Sequence, residues 1–85
     1  MDVAAQSNAL LAYLARVTQA RALDVDTPLV SSGLLDSFAL IEVLHELERV
    51  TGRRIPAGRV GPADFETVRD MRQAAARVAP PAPTD

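Results

Sequence analysis

One amphipathic stretch constrains the fold more than any other feature, the run Phe38-Ala39-Leu40-Ile41-Glu42-Val43-Leu44-His45-Glu46-Leu47-Glu48-Arg49-Val50. At 100° per residue from Phe38, the side chains of Leu40, Val43, Leu44, Leu47 and Val50 fall between about 120° and 240°, one continuous apolar face. That periodicity is helical and the face is a core face. The opposite side, between about 300° and 40°, carries Ile41, His45, Phe38, Arg49 and Glu42, so two large apolar residues point away from the core. The chain has 85 residues, and a domain of this size buries only about 60 to 65 per cent of its unfolded surface, which leaves little room for an enclosed substrate pocket.

The other segments read as partners for this helix. A first helix is expected from Val3 to Ala20, capped by Asp2, with Leu10, Leu14 and Val17 inward and Leu11 and Tyr13 widening the stripe. Arg21 to Leu35 is a long connection, where Pro28 discourages helix, Asp24, Asp26 and Thr27 supply turn chemistry, and Gly33 permits a positive φ. Leu29 and Val30 anchor it. The central helix starts at Asp36 or Ser37 and runs to about Thr51, with Gly52 as a left-handed stop. Arg53 to Gly61 is a second loop, with Ile55-Pro56 as an apolar peg, followed by a short helical turn from Pro62 to Phe65. Thr67 and Asp70 resemble a capping box, and Val68, Met71, Ala75 and Val78 mark a last helix. Pro80, Pro81 and Pro83 end it, leaving 80–85 as a flexible Pro-rich tail beyond a domain spanning 1–79. Apolar residues are 48% of the chain but aromatics only 4%, a balance of Ala, Leu and Val that suits an all-α fold.

Charge and chemistry-bearing residues narrow the function. Nine Arg, no Lys and eleven acids give a net charge of −2, without a basic stripe for nucleic acid. No apolar run approaches the roughly 18 to 20 residues that cross a bilayer, and Met1-Asp2-Val3 lacks the basic start of a signal peptide, so a cytoplasmic protein is expected. The absence of cysteine and a single histidine speak against a metal site.

The run Gly33-Leu34-Leu35-Asp36-Ser37-Phe38 sets one serine at the mouth of the central helix. A catalytic serine needs an adjacent base, yet His45 lies eight positions later, roughly 12 Å along a helix. A hydrolase reading is therefore poor. A Ser or Asp at a helix start taken alone is more often a cap than a site, and Asp36 is able to fill that role by itself. The context of a long loop, a glycine, an Asp-Ser pair and the outward Phe38 and Ile41 points instead to a hydroxyl meant to be modified beside a contact surface.

Thr27-Pro28-Leu29-Val30, Gly33 to Phe38, Ile41-Glu42, Leu47-Glu48, Ile55-Pro56 and Phe65-Glu66-Thr67-Val68 together resemble the acyl and peptidyl carrier protein family over nearly the whole chain. The resemblance implies a four-helix bundle with three main helices, a short third helix and a long first loop. It implies that Ser37, beside Asp36, carries 4′-phosphopantetheine, transferred from coenzyme A by a separate Mg²⁺-dependent phosphopantetheinyl transferase. The arm would supply the thiol that the chain lacks and hold an acyl, aminoacyl or peptidyl group as a thioester, leaving the carrier non-catalytic. Phe38, Ile41, Glu42, His45 and Glu48 map to the surface that partner enzymes read: a loading enzyme, then downstream synthase, transferase or tailoring enzymes.

Three departures bear on subtype. Gly33 stands four residues before the serine, Phe38 follows it and Ala39 is second after it, whereas many fatty-acid carriers have Gly three before, Leu next and then an acid. The pattern looks more like free-standing carriers of polyketide or nonribosomal peptide type pathways. A monomeric, discrete protein opening at Met1 is expected. The alternative is an unmodified helical interaction module that binds through Phe38 and Ile41.

Overall fold

A computed structural model describes residues 2–78. Three helices form the frame: α1 (Val3–Thr18), α2 (Ser37–Thr51) and α3 (Val68–Val78), with 3-10 turns at Ala57–Arg59 and Pro62–Phe65 between the last two. The expected short third helix is thus the 3-10 turn at Pro62–Phe65, and the described residues form an all-helical bundle. The boundary at 79 and the tail 80–85 lie outside the described residues.

Each helix starts and stops for a local reason. Asp2 Oδ1 accepts the Ala5 N–H at 2.7 Å, and Thr67 Oγ1 accepts the Asp70 N–H at 3.0 Å, so both side chains satisfy amides that no helical carbonyl reaches. Gly52 ends α2 in the left-handed region at φ 69°, its N–H on Glu48 O at 2.8 Å. The end of α1 corrects the expected boundary at Ala20. Gln19 takes the left-handed conformation at φ 59°, and the Thr18 hydroxyl both donates to Leu14 O at 2.6 Å and accepts the Ala20 N–H at 3.3 Å. A non-glycine stop of this kind leaves little trace in sequence.

The core is shared by all three helices and both loops. Leu10 and Leu14 of α1 meet Val43, Leu44, Leu47 and Val50 of α2 and Val68, Met71, Ala75 and Val78 of α3, with Leu29, Leu35, Ile55 and Phe65 closing the cluster. Val17, expected inward, is 48% exposed. The buried line of α1 runs through Ser7, Leu10 and Leu14 to the half-buried Thr18, and Val17 lies about 65° from its centre. Leu40, assigned to the core face of α2, is only half-buried.

The first loop is long but not structureless. Asp24 and Thr27 lock a turn, with Asp24 N–H on Thr27 Oγ1 at 2.8 Å and Asp26 N–H on Asp24 Oδ1 at 2.8 Å. Arg69 of α3 donates to both Asp26 oxygens, at 2.7 and 3.0 Å, and its N–H reaches Val25 O at 3.0 Å. Leu29 and Leu35 are buried and joined by Leu35 N–H on Leu29 O at 2.9 Å. Between them Gly33 turns the chain at φ 85°, a conformation that costs other residues more.

Candidate functional site

The loop delivers the chain to α2 with Asp36, not Ser37, as the cap. Asp36 is extended, at φ −99°, and its Oδ1 accepts the Ala39 N–H at 2.8 Å. Ser37 becomes the first helical residue, exposed, and its hydroxyl makes no hydrogen bond among the described residues. The N–H groups of Ser37 and Phe38 precede the first bond of the helix, which begins with Leu40 N–H on Asp36 O at 3.1 Å. Unpaired amides and the positive end of the helix dipole therefore face the space around the Ser37 hydroxyl, a setting that favours an anionic phosphodiester. The fit is good. His45 is exposed on α2 two turns further along, too far to activate the serine.

Glu66 fastens the loop that leads to Ser37. Its Oε1 accepts the N–H groups of Val30 and Ser31, each at 2.9 Å, its Oε2 takes the Ser31 hydroxyl, and its main-chain oxygen accepts the Leu29 N–H at 2.8 Å. The Ser31 hydroxyl foremost, followed by its N–H, lowers the Glu66 pKa below the usual glutamate range. In the sequence Glu66 is one residue of the Phe65-Glu66-Thr67-Val68 run, with nothing beside it to mark this role. The contact spans 35 residues, and no local pattern signals it.

The five residues expected to meet partners separate in space. Phe38 is 83% exposed and Ile41 58% exposed, forming an outward apolar pair with the exposed His45 and Glu42 nearby on α2. Glu42 lies toward α1. Burial is the main cause that raises the Tyr13 pKa, and the charges of Glu42 and then Glu46 raise it further, so both acids stand on the side of α2 that faces Tyr13. Glu48 turns inward instead. It is half-buried and its Oε2 accepts the Ile55 N–H at 2.7 Å, tying the second loop to α2.

That loop and α2 border an open apolar groove of about 150 Å³, lined chiefly by Leu40, Ile41, Leu44, Val60, Pro62 and Phe65. Ser37 precedes Leu40, Ile41 and Leu44 by three, four and seven residues, which puts all four on one line of the helix. The half-exposed Leu40 is explained by this groove. The sequence wheel nominated the outward pair but not the groove, because its far wall comes from the second loop.

Among the described residues no helix is long and apolar enough to cross a membrane. The family model described as the phosphopantetheine attachment site matches residues 8–75, most of the 85-residue chain. No curated protein matches the chain.

Proposed function

Because the chain belongs to the phosphopantetheine attachment site family, whose role is to carry 4′-phosphopantetheine, we propose that Ser37 is its attachment residue. The observation that carries this reading is the division of labour at the head of α2: Asp36 spends its carboxylate on the cap, and the Ser37 hydroxyl is left exposed and unbonded. Attachment through Ser37 Oγ places the phosphodiester against the free amides of Ser37 and Phe38. The arm supplies a terminal thiol that holds acyl, aminoacyl or peptidyl groups as thioesters. With His45 two turns away, the chain's own task is to present cargo, and the bond chemistry belongs to partners in the cytoplasm.

Those partners are a phosphopantetheinyl transferase, a loading enzyme and downstream synthase, transferase or tailoring enzymes. Phe38 and Ile41 supply desolvated contact in a small transient interface, with Glu42 and His45 beside them. The apolar start of α2 supports a carrier of polyketide or nonribosomal peptide type pathways over fatty-acid synthesis. Glu48, engaged with Ile55, serves that surface by shaping its edge.

Incubation with coenzyme A, Mg²⁺ and a broad-specificity transferase should add the mass of one arm to the intact protein, and Ser37→Ala should abolish the gain. Retention of the gain in Ser37→Ala, or no gain with several active transferases, would defeat the assignment.

A further inference from the structure

Three arginines of the second loop have no acidic partner among the described residues, and one of them, Arg59, lies between the groove residues Ala57 and Val60. Arg53, Arg54 and Arg59 are exposed, and their side chains make no ion pair or hydrogen bond with the described residues. By contrast Arg49 pairs with Glu46, Arg69 with Asp26 and Arg77 with Asp64. Residues 49–63 hold four of the nine Arg and none of the eleven acids, so the remaining sequence holds five Arg against eleven acids. The charge separation is strong for a chain whose net is only −2.

The acids of α2 do not offset this strip. By helix geometry Glu42 and Glu46 stand on the side of α2 opposite Leu40, Ile41 and Leu44, and Glu46 is also held by Arg49. Glu48 is committed to the Ile55 N–H. Asp64 accepts the Gly61 N–H at 2.9 Å and Arg77 at 3.1 Å. Asp36, bound to the Ala39 N–H, is the acid next to Ser37. A cation after a helix end favours the dipole, which accounts for Arg53 and Arg54 following α2. Arg59 has no such role, since it closes the 3-10 turn whose Ala57 lines the groove.

We propose that this face docks the enzyme acting on the carried group, through an acidic surface with one large apolar side chain that seats in the groove. The proposal rests on the carrier reading, because Ser37 on the same line of α2 is what brings such an enzyme here. An apolar centre with a charged periphery is the anatomy of a specific protein contact, and the unpaired guanidiniums of Arg59, next to the groove residues Ala57 and Val60, and of Arg53 and Arg54 on the same loop steer an acidic partner to it. An anionic membrane, which the arginines and the exposed Phe38 and Ile41 would also suit, is the other occupant, and vesicle sedimentation separates the two.

Isotope-labelled Ser37→Ala protein, titrated with a short Asp/Glu peptide bearing a central leucine, should show amide shifts at 40–44 and 53–62. Arg59→Glu should weaken that peptide at least about fivefold, and the Arg53, Arg54 and Arg59 triple reversal further. A Lys peptide of the same length and the acidic peptide with Ala for its leucine should bind more weakly than the first by a similar factor. Equal response to acidic and basic peptides, no response, indifference to the reversals, or preferential sedimentation with anionic phospholipid vesicles would overturn the proposal. Arm addition to the unmutated protein is measured separately. Peptide binding without arm addition would sink the carrier reading and spare this surface, and arm addition without peptide binding would do the opposite.

Discussion

Glu66 and Ser31 meet across 35 residues, with the Glu66 carboxylate accepting both the N–H of Ser31, at 2.9 Å, and its hydroxyl. Together with Val30 and Leu29 on the same residue, this contact sets the path by which the first loop enters α2.

Glu66→Ala should therefore loosen the segment before Ser37 without unfolding the bundle. Amide exchange at Val30 and Ser31, which lose their carboxylate acceptor, should quicken while that of Leu47 stays slow, since local openings are separable from global unfolding. Arm addition should slow with it. Unchanged exchange at those two amides would show that the loop is held by Leu29 and Leu35 burial and the main-chain bond of Leu29, without the carboxylate.

The same carboxylate belongs to a set whose protonation weakens the fold. Asp26, Glu46, Asp64 and Glu66 all have lowered pKa values, chiefly from hydrogen bonds by Arg69, Arg49, the Gly61 N–H and Ser31 respectively. A lowered folded-state pKa means that the unfolded chain binds more protons in this window, so stability rises with pH there. The contribution is complete above the unfolded carboxylate range, near pH 4, and is lost as pH falls through the lower folded values. Denaturant midpoints measured on either side of that range should show it, with the fall reduced in Glu66→Gln.

Asp36 and Ser37 should separate cleanly in mutagenesis. Asp36→Ala removes a cap bond and should cost about 1 kcal/mol of stability, whereas Ser37→Ala should stay within about 0.5 kcal/mol and lose arm addition entirely. Urea unfolding and intact mass together check the pair. A larger stability loss at Ser37 would assign it the cap.

Leu47 and Phe38 provide the matching contrast within α2. Leu47 is fully buried, and Leu47→Ala should cost about 2 to 5 kcal/mol. Phe38→Ala should leave stability nearly unchanged and weaken productive transfer by partner enzymes, raising KM more than it alters the chain's unfolding midpoint.

Much of the frame was legible because its signals are local. The alternation of Leu40 to Val50, the glycine stop at Gly52, the Asp2 and Thr67 caps and the Pro62 turn each act within one or two helical turns, and the structure places them there. Val17 misled because a period fixes a face only to within a residue's angle, and burial of Ser7 and Thr18 rotated it.

The amino-acid sequence alone determined an all-helical bundle of the carrier type, with an Asp-Ser pair at the head of its central helix. Tertiary structure decided that Glu66 holds the approaching loop and that Glu48 turns to Ile55. It also decided that an apolar groove opens between α2 and the second loop, next to the unpaired Arg59. The reason is reach: helix periods and caps are written within a few neighbouring residues, while hydrogen bonds from Glu66 to Ser31 or Arg69 to Asp26 exist only after the core has brought distant segments together.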